Sequence, residues 1–177
     1  MGINSLKESI KDYGRDIRLN LDSVLTPEGA PGLSEEQIWG IALASAYATR
    51  SKQVGEAVLA DAKLSPEGME AAKAAATIMA MNNVYYRAIH LLSNGEYKTL
   101  PARLRMNVLA NPGVEKVDFE LWCTAVSAIN GCGMCLDSHE GELKKHGVPA
   151  TQIQASIRIG AVVNAVSRVA SAEAAAV

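Results

Sequence analysis

A run of small and straight-chain residues from Glu67 towards Leu92, opened by Ser65-Pro66 and closed by Ser93-Asn94-Gly95, does most to limit what this chain can fold into. Ser at an N-cap with Pro at the first helical position starts a helix, and a following Asn-Gly pair stops one. An Ala- and Met-rich helix of that length offers a surface that neighbours can approach closely, which predicts a central position. No segment elsewhere shows sustained alternation with hairpin signals. The fold class is therefore all-α.

The other helices are marked in the same way. Ser5 with Glu8 forms a capping-box pattern ahead of Leu6, Ile10 and Tyr13, predicting a short helix that ends near Gly14. Ile17 to Leu25 is a second apolar segment, and Thr26-Pro27-Glu28-Gly29-Ala30-Pro31-Gly32 is a loop on composition. Ser34 with Gln37 starts a helix whose face is Ile38, Trp39, Ala42, Leu43 and Ala46, and Gln53 to Ala62 reads as another. Residues 96–117 are the least regular. Asp118 is expected to cap a helix carrying Phe119, Leu121, Trp122, Ala125, Val126 and Ile129. After Asn130-Gly131 a helix is expected from about Cys132 to His146, and after Gly147 and Pro149 a last one to about Ala170.

Two weak internal matches occur in the same order. The stretch around Trp39 aligns with that around Trp122 at an offset of 83 (122 − 39), and Asn83 to Arg87 aligns with Asn164 to Arg168 at 81 (168 − 87). One helical domain, 1–177, with two related halves follows: residues 1–92 as scaffold and 93–177 carrying the thiols. The first alignment sets Cys132 against Thr49.

Composition narrows the function classes. A net charge of −2 supplies no electrostatic footprint for nucleic acid. No uninterrupted apolar stretch reaches the length of a membrane span, and the first residues lack the apolar core of a secretory signal. A cytoplasmic location is expected, where disulfides are mostly catalytic and reversible.

The chemistry concentrates at Asn130-Gly131-Cys132-Gly133-Met134-Cys135, with His139 four residues on. Two cysteines can be inert core residues, since free Cys is commonly buried. A C-x-x-C at a helix start in a cytosolic chain reads instead as a redox dithiol or half a metal site. A thiolate is favoured there by unpaired backbone N–H groups and the helix dipole. His139 shares a helical face with Cys135 and is placed to exchange its proton. Zinc fits poorly: on one helix His146 lies about 10 Å along the axis from His139. Covalent haem attachment would need His where Leu136 stands, and a thioredoxin-like fold would need a strand before the motif. Cys123 is expected to be a small buried residue, His90 structural and His146 a helix-end residue. From the residues alone Glu120 reads as a solvated residue near a helix start, and Glu142, at i+3 from His139, is an equally good orienter of the imidazole.

The run Arg105-Met106-Asn107, Ala110-Asn111-Pro112-Gly113, Phe119-Glu120-Leu121-Trp122, Ala125 to Cys132, then Cys135 with His139-Glu140, resembles the alkyl hydroperoxidase D family of the carboxymuconolactone decarboxylase-like superfamily. Trp39-Gly40 and Met81 to Arg87 extend the resemblance over essentially the whole chain. It implies an antioxidant thiol peroxidase that reduces alkyl hydroperoxides without a tightly bound cofactor or metal. Electrons would pass to a partner peroxiredoxin and come from a dihydrolipoyl-bearing protein. Residue by residue, it implies Cys135 as the cysteine that forms a sulfenic acid, Cys132 as its resolving partner, and His139 with Glu120 as a proton relay. A homotrimer is implied as well. Met134 stands where the family form has His and cannot carry a proton. Two other readings remain open: a dithiol reductase of partner-protein disulfides, and a non-redox decarboxylase-like protein with structural cysteines.

Overall fold

In the computed structural model, which describes residues 2–175, the regular structure is helical and no strand occurs among the described residues. The expected domain spans 1–177, so residues 1, 176 and 177 lie outside the described ones. The α-helices are α1 (Ile3–Glu8), α2 (Arg15–Val24), α3 (Glu35–Ala48), α4 (Lys52–Asp61), α5 (Pro66–Leu91), α6 (Lys116–Asn130), α7 (Gly133–Lys145) and α8 (Ala150–Ala174). Among the described residues, no helix is long and apolar enough to cross a membrane.

The helix starts follow the local chemistry in most places. Ser34 and Gln37 make the reciprocal capping box, and Ser65 accepts from the Gly68 N–H ahead of the long helix α5. Two expected starts are corrected. Helix α1 begins at Ile3, before Ser5, because the Ile3 N–H is taken by Asp61 at 2.6 Å from across the fold; it ends at Glu8, well short of Gly14. Helix α6 begins at Lys116, with Asp118 inside its first turn, where its carboxylate accepts from Gln37 Nε2 at 2.7 Å. An acidic group remains favourable there through the dipole, although it caps nothing.

The centre of the molecule also differs from expectation. Helix α5 buries one face through Ala71, Ala72, Ala75, Ala76 and Met79 and leaves Val84 and Leu91 exposed. The core is built on α3 and α6 instead, where Ile41 to Ala44 and Phe119 to Ser127 are buried without interruption. A helix that is apolar all round can only sit inside. Gly40 permits the closest approach between these two helices: a Cβ there would meet the Trp122 indole at 2.1 Å.

Helices α3–α4–α5 and α6–α7–α8 make corresponding contacts. Helix α3 packs on α5 as α6 packs on α8, and α5 lies on α6 as α8 lies on α3. The register at the thiols is Ser51 rather than Thr49. Arg50, at φ 60°, ends α3 in the left-handed region as Gly131, at φ 67°, ends α6. Ser51 then caps α4 by accepting from the Val54 N–H, and Cys132 caps α7 by accepting from the Cys135 N–H. The first half needs two more residues than the second to travel from its Trp to the left-handed turn, so the offset falls from 83 to 81.

Candidate active site

The turn between α6 and α7 sets the site. Gly131 supplies the left-handed conformation that an L side chain adopts only with strain, and the Cys132 N–H closes back on the Ser127 carbonyl at 3.1 Å. This delivers Cys132 to the N-cap and Cys135 to the first turn of α7, as expected. The two sulfurs are joined in a disulfide with a Cα–Cα distance of 5.3 Å, and Cys123 is free and buried. Burial pushes the Cys123 thiol well above its ordinary pKa, which leaves it a poor nucleophile.

The two cysteines are not equivalent. Cys132 is 0% exposed, whereas Cys135 is 6% exposed and lines a cavity of about 340 Å³. Met79, Asn82 and Tyr86 of α5, Met106 and Leu109 of the irregular segment, and Met134, Ser138 and His139 of α7 complete the lining. Cys135 Sγ lies 3.9 Å from the Asn82 carbonyl oxygen. Met134 is 37% exposed and stands at the rim.

His139 is buried on the same face of α7 as Cys135, with Nδ1 at 2.6 Å from Glu120 Oε2 and Nε2 at 3.2 Å from Met79 Sδ. A carboxylate at Nδ1 holds a proton there, so Nε2 is the ring atom left to exchange one. Glu120 is buried too, and Lys116 Nζ sits 2.8 Å from its other oxygen while also donating to the Leu109 carbonyl at 2.7 Å. Burial opposes the charge on Glu120, but the hydrogen bonds from His139 and Lys116 outweigh it and hold the carboxyl below its ordinary range. Lys116, Glu120 and His139 thus form a line of alternating charge capacity from the surface to the cavity. Glu142, the alternative orienter, turns to Lys145 and His146 instead.

The structure therefore brings together all four residues singled out in the sequence and adds Lys116, Met79 and Asn82. Lys116 had a visible signal, its i, i+4 spacing from Glu120. Met79 had none, since nothing local ties α5 to a motif some fifty residues later; Asn82 lay in the Met81 to Arg87 segment of the resemblance, which gave it no role. Outside the cavity lining, two further asparagines tie α5 to α6: Asn83 Nδ2 donates to Ser127 Oγ at 2.9 Å, and Asn130 Nδ2 donates to Asn83 Oδ1 at 2.9 Å. His90 is exposed, and His146 lies at the end of α7.

The chain has relatives among known proteins. Residues 95–177 match the Carboxymuconolactone decarboxylase family. The chain is 63% identical over 177 residues to the alkyl hydroperoxide reductase AhpD of Hyphomonas neptunium, covering 99% of this chain and 97% of that protein. It is 54% identical to the protein of that name from Maricaulis maris, covering 98% and 99%, and 56% identical to the one from Streptomyces avermitilis, covering 98% of each.

Proposed function

The chain belongs to the family of the alkyl hydroperoxide reductases AhpD, and from that membership we propose that it is an antioxidant thiol peroxidase reducing alkyl hydroperoxides through Cys135 and Cys132. The observation that carries the reading is the position of Cys135, whose sulfur lines an apolar cavity beside a buried His139–Glu120 pair. Met79, Tyr86, Met106 and Leu109 suit the alkyl group of an organic hydroperoxide better than they suit water.

The reduced Cys135 thiol passes its proton to His139 Nε2 and is held as thiolate at the start of α7, where the helix dipole favours the charge. The thiolate attacks the terminal oxygen of R–O–O–H; an S–O bond forms, the O–O bond breaks, and the electron pair leaves on the alkoxide. His139 returns the proton to give the alcohol, with Glu120 and Lys116 keeping the ring oriented and the charge balanced. The Cys132 thiol then condenses with the Cys135 sulfenic acid, water leaves, and the disulfide of this structure results. A dihydrolipoyl-bearing protein restores the dithiol, and a partner peroxiredoxin draws on it. The proteins work in the cytoplasm.

A homotrimer is part of the proposal. Residues 91–100 are all exposed and include Leu91, Leu92, Tyr97 and Leu100, apolar surface of the kind that association covers. The primary test is thiol counting on the reduced protein before and after one equivalent of cumene hydroperoxide. Loss of two of the three thiols with release of one cumyl alcohol supports the peroxidase; three thiols retained would sink it.

A further inference from the structure

Asn82 and Asn83 are neighbours on α5, both buried, and their side chains have opposite fates. Asn83 is saturated by Ser127 and Asn130. Asn82 is 4% exposed, lines the Cys135 cavity, and its Oδ1 is buried with no hydrogen-bond partner. A buried amide oxygen without a partner is costly, so a site that keeps one calls for a reason. Its own backbone carbonyl oxygen lies 3.9 Å from Cys135 Sγ. Asn82 therefore borders the same space as Cys135 and His139.

Resting on the peroxidase reading above, we propose that Asn82 is a substrate-binding residue whose side-chain amide hydrogen-bonds the hydroperoxide group. A hydroperoxide has an O–H donor next to an ether-like acceptor oxygen, and a primary amide presents the complementary acceptor and donor. The Asn82 oxygen takes the O–H, and the amide N–H faces the inner oxygen, on which negative charge grows as the O–O bond breaks. That holds the terminal oxygen towards Cys135, and the bond changes are those already written: S–O forms, O–O breaks, His139 supplies the proton. An ordinary ether or alkyl group satisfies only part of this pattern, so the residue selects R–O–O–H over other apolar occupants of the cavity.

The test compares two reactions of the same reduced thiol. Stopped-flow oxidation by cumene hydroperoxide needs the amide, whereas alkylation by iodoacetamide reports the nucleophile alone. In Asn82→Leu, a near-isosteric change, the cumene hydroperoxide rate constant is expected to fall roughly tenfold or more, as for loss of a buried hydrogen bond in a transition state. The iodoacetamide rate should stay within about twofold, and the thermal midpoint should equal or exceed that of the wild type because an unpaired polar group has been removed. Asn82→Gln, which keeps the amide, should recover part of the peroxide rate. Equal losses in both reactions, or no loss in either, would overturn the assignment while leaving the peroxidase intact. A wild-type protein inert to cumene hydroperoxide would overturn both.

Discussion

Glu120 Oε2 lies 2.6 Å from His139 Nδ1, with both side chains buried and Lys116 on the far side of the carboxylate. A carboxylate in that place fixes which ring nitrogen carries the proton, and so fixes which one faces the cavity. Glu120→Gln keeps the shape and removes the charge. It is expected to slow Cys135 oxidation by cumene hydroperoxide about tenfold to a hundredfold, towards the low end of general acid–base effects. His139→Phe should cost more, with the disulfide still able to form. Stopped-flow tryptophan fluorescence on the three reduced proteins gives the ranking, and equal rates for wild type and Glu120→Gln would remove the relay.

The unequal exposure of the two sulfurs separates their roles. Cys135→Ser should abolish peroxide reduction. Cys132→Ser should permit one attack and then hold a sulfenic acid that dimedone labels by mass spectrometry. Cys123→Ser should leave turnover unchanged, because its thiol is buried away from the cavity. Dimedone labelling of Cys132 in a Cys135→Ser protein would reverse the assignment. Met134→Ala should cost little, since a thioether at the rim offers no proton.

Acid stability should depend on Glu120. Its folded-state ionisation is held below the ordinary carboxylate value, so the unfolded chain binds more protons there than the native one. The contribution is fully present above the ordinary pKa near 4.5 and is lost as pH falls through the lowered folded value. Asp118 acts with the opposite sign: burial disfavours its charged form and raises its pKa, so it favours the fold once protonated. Urea titrations at pH 6, 4.5 and 3.5 should therefore show a steeper acid loss for wild type than for Glu120→Gln.

The packing of α3 on α6 predicts two destabilising changes that interact. Trp122→Ala should cost about 3–5 kcal/mol, as for other large core aromatics. Gly40→Ala should cost about 1–3 kcal/mol, because its Cβ has no room beside the indole. In the double variant the alanine enters the space the indole has left, so the combined loss should be clearly less than additive. Additive losses in chemical denaturation would mean that the two residues do not share that space.

Assembly is tested by mass. A monomer is 18.7 kDa, and sedimentation equilibrium should return three times that value for the wild type. Leu91→Glu, which charges the exposed end of α5, should shift the distribution towards the monomer. A monomeric wild type at working concentrations would end the trimer proposal.

Much of this was legible in the sequence because it is local. The helix class, the caps at Ser34 and Ser65, the stop at Gly131 and the pairing of Cys135 with His139 all depend on residues within a turn or two of each other. Asp118 misled because a good capping residue was read without its partner: the Gln37 amide that claims it lies on α3, 81 residues away. Ser5 misled for the same reason, with Asp61 as the distant group. Glu142 had the helical spacing from His139 while Glu120 read as solvated, and only the packing of α6 against α7 buries Glu120 and brings it to the imidazole. Most of the cavity wall was illegible, since Met79 comes from α5 with no mark of the company it keeps, and the resemblance at Met81 to Arg87 gave Asn82 no role. Helix α5 was expected at the centre from its small residues, yet smallness allows close approach from one side as well as from all sides.

Cys132 does two things at once, and they cannot be independent. Its sulfur ties down the Cys135 N–H at 3.3 Å, the task that the Ser51 hydroxyl performs in the first half of the chain. Serine never changes its chemistry, but this sulfur alternates between disulfide and thiol each time the protein turns over. In the disulfide this sulfur is fixed in place by a covalent ring over residues 132–135, whereas the reduced Cys132 is a neutral thiol, a weak acceptor free to turn away from the same N–H. The protein is thereby expected to register its own electron load as a difference in backbone motion at residues 132–135. Amide exchange at Cys135 should be faster in the reduced protein than in the oxidised one, so that a passing partner meets a looser surface when there are electrons to give and a firmer one when there are none.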